Sequence, residues 1–328
     1  MKLVSLNGGP DGRLALADRL LTRVTEITDI APTMQVALER WDDIEPLLRD
    51  RAERLESGDV ADARPYDPDE LFAVLPRAWQ WLDGSAFNSH GELMSMAFGI
   101  EPLPVDRPLM YQGVSDRFYP GRSDVSFLDE ADEIDFEAEF GVIVSAVPRG
   151  VTAERAAKYI RLIVIINDWS LRALGPAEMK RSFGFIQAKP PSATAPVAVT
   201  PDALGKYWHA SRVGLDMEVA RNGTAFGHAN GAAMAFGFAD LVAHAARTRD
   251  LVAGTIIGSG TVSNETFRTV GSSCIAERRM IELIDDGASV TSFMRFGDTV
   301  TMESHLPDGE SVFGRLEQTV VPASGSVA

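Results

Sequence analysis

I-D-F-E-A-E-F-G-V-I-V, residues Ile134–Val144, closes in β-branched and aromatic residues, the composition of a buried strand. On a strand, side chains alternate between faces, so Glu137 and Glu139 point the same way, about 7 Å apart. They stand among Phe136, Phe140, Val142 and Val144. Two like charges facing one apolar neighbourhood repel each other and are poorly solvated unless something positive lies between them. A divalent cation meets that need, and oxygen-only ligands favour Mg²⁺, Ca²⁺ or Mn²⁺. An edge strand whose glutamates face water would carry the same letters, so the rest of the chain has to decide.

The 328 residues suit one large domain plus a smaller one, and 45% hydrophobic content supports a sizeable core. A net charge of −16 argues against a nucleic-acid surface or an anionic membrane as partner. It leaves an anionic small substrate open, because a bound cation reverses the local potential. Cys274 is the single cysteine, which excludes an intramolecular disulfide and suits a reducing cytoplasm. No run approaches the ~18 apolar residues of a membrane span, and M-K-L-V-S-L-N-G-G lacks a signal peptide's apolar core. The expectation is a cytoplasmic protein.

In chain order, Met1–Leu6 reads as a strand, and Met34–Leu55 as a helix stopped by Gly58. Residues 1–76 form an expected small α/β module, and 77–328 the main domain. Trp81–Met94 reads as a loop-rich segment running into a helix, which puts Asp83 in a loop and His90 on a glycine-bearing loop. Leu162–Asn167 is a continuous apolar run, the pattern of a fully buried strand, with Asp168 at its end. Asp168 could also cap a helix starting at Trp169. Val213, Leu215, Met217 and Val219 alternate with polar residues up to Asn222-Gly223, a strong hairpin signal. Beyond about residue 105 short β-rich runs alternate with turns, which predicts an α+β, mostly β fold built as a mixed β-roll or sandwich. Ala323–Ala328 reads as a disordered tail.

Taken together, F-E-A-E-F, the N-D-W-S-L-R of Asn167–Arg172, Asp83 seven residues before His90, Tyr119-Pro120-Gly121-Arg122 and S-G-T-V-S at Ser259–Ser263 resemble the fumarylacetoacetate hydrolase family. The resemblance covers roughly residues 80–285. It implies a fumarylacetoacetase-like catalytic domain in which Asp83, Glu137, Glu139 and Asp168 hold one divalent cation, Mg²⁺ first, with Ca²⁺ or Mn²⁺ as alternatives. It further implies His90 as general base, Glu277 of G-S-S-C-I-A-E as its partner, and Tyr119 and Thr261 as substrate contacts. The family lysine matches Lys189 by its spacing to Pro196, although Arg181 sits in the matching R-S-F letters. Ser85 and Gly99 replace a tyrosine and an arginine of the family pattern, which bears on substrate identity.

The activity so implied is hydrolysis of a carbon–carbon bond in an acidic 1,3-diketone such as fumarylacetoacetate or an acylpyruvate, a step of aromatic catabolism. Lys189 and Arg172 would supply positive charge, and a His90 loop would close as a lid. The resemblance suggests a homodimer. The same metal site would also serve a decarboxylase, hydratase or isomerase of small 2-oxo dicarboxylic acids, and a non-catalytic metal-binding protein is a third reading. Cys274 reads as a small buried hydrophobe.

Overall fold

The long apolar run at Leu162–Asn167 is a strand, Ile160–Asn167, at the centre of an 11-stranded sheet. The computed structural model describes residues 1–98, 101 and 106–324. Gly99 and the last four residues of the expected disordered tail lie outside them. Across the sheet the order is Arg64–Pro65, Arg23–Glu26, Arg13–Ala17, Lys2–Leu6, Ala198–Val199, Ile160–Asn167, Ala138–Val144, Thr255–Gly258, Trp81–Ser85 and Leu109–Gly113. Ala193–Thr194 pairs with the end of the central strand. Neighbours are antiparallel except Thr255–Gly258 with Trp81–Ser85. The first strands of the front module therefore extend the same sheet, joined where Lys2 and Leu3 pair with Val199 and Ala198.

Burial on both faces explains why the central strand shows no hydrophobic alternation. Ile163 and Ile165 join one core, and Leu162, Val164 and Ile166 join another. The first core lies between the large sheet and a five-stranded sheet that contributes Met217, Val219, Val300, Met302 and Val320. The second is covered by Trp41, Ile44 and Leu48 of a helix, Trp41–Ser57, ended by Gly58 in the left-handed region at φ 80°. The protein is thus α+β and mostly β. The hairpin at Asn222-Gly223 forms with both residues at positive φ, 51° and 73°, and Val213, Leu215, Met217 and Val219 are buried.

Three local expectations are corrected. The Met34–Leu55 helix is two helices, Met34–Glu39 and Trp41–Ser57, broken at Arg40. Ile134–Val144 is likewise interrupted. Ile134–Asp135 pairs with Ser170–Leu171 in a separate small sheet, and only Ala138–Val144 enters the large one. No helix starts at Trp169, since Ser170–Leu171 is a short strand, so the Asp168 carboxylate is free for side-chain partners.

Candidate active site

Glu139 is the second residue of the Ala138–Val144 strand, on the face opposite Phe140 and Val142, with Ile166 as its cross-strand neighbour. Two strands further, Trp81–Ser85 carries Asp83 beside Gly258. Asp83 is therefore on a strand, not in a loop; its pairing with two distant segments makes W-L-D-G-S extended. A Cβ on Gly258 would lie 2.4 Å from Asp83 Oδ1 and 2.7 Å from Glu139 Oε2, so the bare backbone between them makes room for both carboxylates. Asp168, at the end of the central strand, completes the group. Oxygens of Asp83, Glu139 and Asp168 all lie within 4.8 Å of one another, and all three residues are buried.

This cluster fits a hard divalent cation. Every donor is a carboxylate oxygen, and neither Glu139 oxygen has a hydrogen-bond partner. Burial, followed by the nearby Asp168 charge, pushes Asp83 well above the usual carboxylate range. Burial and then Asp83 do the same to Glu139. Such a shift reports that the charged forms lack a counter-charge.

The fourth expected ligand stands apart. Glu137 sits in the strand break and is held by cations: Lys189 Nζ lies 2.9 Å from Oε2, and Arg172 Nη2 lies 2.6 Å from Oε1. That arginine contact is close but poorly aligned for a hydrogen bond, so it is ionic in character. Burial raises the Glu137 pKa, but Lys189 and Arg172 outweigh it and hold the group below the usual range. Lys189 also lies 2.5 Å from Asp168 Oδ2, so its ammonium is the positive charge between Glu137 and Asp168. Lys189, not the exposed Arg181, occupies the site. Arg172 is committed to structure, since its Nε donates to Asp135 Oδ2 at 2.9 Å.

His90 lies in the first turn of a helix, Asn88–Phe98, and not on a loop, so its expected loop placement is corrected. That helix packs on Ile275–Asp286, Leu93 against Met280 and Ile281, Met94 against Cys274 and Ala276. The packing brings His90 Nδ1 to 3.7 Å from Glu277 Oε1. Ser89 Oγ donates to Ser263 Oγ at 2.9 Å, and Ser263 Oγ donates to Glu277 Oε1 at 2.5 Å. Thr261 is buried in the same segment, and its Oγ1 has no partner. Tyr119 behaves differently. Its half-buried ring packs on the core, and its backbone pairs with Ser192 and Thr194. Burial pushes the Cys274 thiol well up, which suits its reading as a small buried side chain.

Several residues were not anticipated. Tyr111 Oη and Ser192 Oγ donate to Asp168 at 2.5 and 2.6 Å. Tyr111 reaches it because it is the cross-strand partner of Asp83, a register that local pattern does not reveal. Asp135 accepts from the N–H groups of Ile275 and Ala276 at 2.7 and 2.9 Å. It thereby joins Arg172 to the N-terminus of the helix bearing Glu277. Asn167 accepts from Glu137 N, and both Asn167 and Trp169 donate to Gln318 Oε1, which clamps the peptide around Asp168. A cavity of about 800 Å³ lined by Phe226, His228, Arg268 and Glu282 contains none of the four carboxylates.

Residues 80–321 match the family model of the fumarylacetoacetate hydrolase C-terminal domain, and residues 1–77 match fumarylacetoacetase N-terminal domain 2. The chain belongs to the fumarylacetoacetate hydrolase family. It is 29% identical over 226 residues to a fumarylacetoacetase of Emericella nidulans, covering 58% of this chain. The chain spans about half the length, 51%, of that curated relative. The fold is shared with maleylpyruvate hydrolase from Sphingobium sp. SYK-6, solved with manganese(II) and pyruvate, at TM-score 0.66 and 14% identity over 99% of this chain and 100% of that one. It is shared equally with a probable 2-hydroxyhepta-2,4-diene-1,7-dioate isomerase from Mycobacterium abscessus, at TM-score 0.67 and 17% identity, again over 99% and 100%. Among the described residues no helix is long and apolar enough to cross a membrane.

Proposed function

We propose that the protein is a divalent-cation-dependent hydrolase that cleaves the carbon–carbon bond between the carbonyls of an acidic 1,3-diketone, an acylpyruvate or fumarylacetoacetate. The observation that carries this reading is the imidazole of His90 beside the buried Glu277, at 3.7 Å, next to a group of carboxylates suited to a hard cation. A decarboxylase needs no base of this kind.

Asp83, Glu139 and Asp168 are the candidate ligands, with Glu137 joining them once Lys189 and Arg172 yield part of their hold on it. When bound there, the cation supplies Lewis acidity to a chelated dicarbonyl, and Mg²⁺, Mn²⁺ or Ca²⁺ suits the oxygen donors. His90 turns Nδ1 toward Glu277, which leaves Nε2 to take a proton from water. The resulting oxygen nucleophile forms a bond to the acyl carbon. The carbon–carbon bond breaks, its electron pair stays on the carbon of the departing enolate, and the proton held by His90 is available to that carbon. Glu277 keeps the ring oriented and stabilises its charged form. Lys189 and the Thr261 hydroxyl would donate to substrate oxygens in this reading. Arg172 serves by holding Glu137.

The test is turnover of metal-loaded protein on a panel of acylpyruvates, fumarylacetoacetate and oxaloacetate, with His90→Ala alongside. Cleavage of a diketone that disappears in His90→Ala supports the hydrolase. Activity that survives His90→Ala within a few-fold transfers the protein to the decarboxylase or isomerase reading. No turnover of any substrate by the parent protein favours a metal-binding role.

A further inference from the structure

Beside the carboxylate cluster lies a donor group of another chemical kind. His90, Cys274 and Glu277 bring a ring nitrogen, a sulfur and a carboxylate oxygen within 4.8 Å of one another. Cys274 and Glu277 are 0% exposed, and the His90 side chain 12%. Two of the donors are left over: His90 Nδ1 and Glu277 Oε2 are buried without a hydrogen-bond partner. The proposed reaction uses the imidazole and the carboxylate but gives the thiol no task. Cys274 does cap the 275–286 helix, its Sγ accepting from Glu277 N at 3.4 Å. A serine would cap that position at least as well, so capping alone does not call for a sulfur there.

We infer that His90, Cys274 and Glu277 form a second cation site, selective for thiophilic ions such as Zn²⁺ and Cd²⁺, whose occupation switches the enzyme off. The inhibitory consequence rests on the reading of His90 as base; the binding does not. Ligand bonds of 2.0–2.3 Å put two donors on a tetrahedral ion about 3.3–3.7 Å apart, so the three side chains must close by about an ångström. Cys274 caps the N-terminus of one helix, Glu277 lies in its first turn and His90 is on the helix packed against it, so side-chain torsions suffice. The thiol gives up its proton to solvent as the ion binds. A bound ion takes a ring nitrogen and the Glu277 carboxylate together, leaving His90 fixed and without its partner. Mg²⁺ does not compete, because it prefers the all-oxygen cluster around Glu139.

The experiment is a Cd²⁺ titration of the full chain saturated with Mg²⁺. The site predicts a thiolate-to-cadmium charge-transfer absorption that saturates near one equivalent. A loss of turnover of about tenfold or more should run parallel to it and be reversed by a chelator. Cys274→Ser should turn over like the parent without Cd²⁺, show no such absorption, and need about tenfold more Cd²⁺ or Zn²⁺ for half inhibition. Equal inhibition of parent and Cys274→Ser overturns the proposal. If that variant does not fold, His90→Ala decides from binding alone: the absorption should weaken by about tenfold in affinity, and an unchanged titration overturns the site. Absence of the absorption in the parent, with His90→Ala inactive, sinks the site and leaves the base reading standing. Full absorption with unchanged turnover overturns the switch, and the base reading falls with it only where His90→Ala also keeps its activity.

Discussion

The carboxylate cluster and the His90–Glu277 pair stand close together but are built in opposite ways. Asp83 and Glu139 sit within strands of the large sheet, tied by backbone pairing to neighbours on both sides. His90 and Glu277 sit on the first turns of two helices that touch through a few side chains, Leu93 on Met280 and Ile281, Met94 on Cys274 and Ala276. Ladder hydrogen bonds fix the first region; the second depends on helix packing and on Asp135 at one helix N-terminus. A ligand set needs rigid spacing against strong mutual repulsion, and a sheet supplies it. A general base has to exchange protons with changing partners, and its looser support, 3.7 Å from Glu277, suits that work.

Substitutions should separate the two regions. The largest expected effect is Glu139→Gln, which removes a charge from the ligand cluster. Metal binding by calorimetry should weaken strongly and turnover fall by about 10³-fold or more, whereas exposed Glu218→Gln should change neither. His90→Ala comes next. It should keep its metal affinity and lose about 10²–10⁴-fold in kcat, with Glu277→Gln losing a smaller share. Equal loss of metal affinity in both variants would erase the division between the regions.

Asp135→Asn tests the link between them. Arg172 would lose one of its two buried charge partners and keep Glu137, at a cost of about 3 kcal/mol in stability by denaturant unfolding. Because the 275–286 helix also loses its carboxylate cap, kcat should fall more than KM rises. The pH profile of kcat should shift, which simple destabilisation would not produce.

The smallest effect is one of pH. Asp83 and Glu139 have folded-state pKa values raised above 3.8 and 4.5, so the folded metal-free protein holds protons that the unfolded chain has released. Their contribution to stability is therefore lost as pH rises above the unfolded values. A bound cation keeps both groups ionised and removes that slope. The Tm difference between loaded and metal-free protein should accordingly grow from about pH 5 to about pH 8. A difference that shrinks over this range would mean the two carboxylates are already charged and compensated without metal.

How much was legible varies with how local the cause is. Asn222-Gly223 needs only its own backbone freedom to turn, and it turned as expected. Leu162–Asn167 could be read as a doubly buried strand because five apolar residues, Leu162 to Ile166, run without a polar break up to Asn167. W-L-D-G-S could not be read as a strand, since its extended form comes from pairing with Thr255–Gly258 and Leu109–Gly113. Tyr111 was missed for the same reason: it meets Asp168 through its register opposite Asp83. The His90 loop was wrong because polar N-S-H-G hid a first helical turn whose stability comes from Leu93 and Met94 further along.

By itself the sequence marked Glu137 and Glu139 as charges among apolar neighbours, a local property, and the family resemblance added Asp83 and Asp168; buried Asp135 was not marked. Only the tertiary structure decided the partition among them. Glu137 and Glu139 lie two residues apart, yet Glu137 sits in the strand break and Glu139 inside the strand, and the one faces Lys189 and Arg172 while the other faces Asp83. The partition follows from which distant strands and helices bring a cation or a carboxylate within a few ångströms, and Coulomb energies at that range depend on the spacing between elements rather than along the chain.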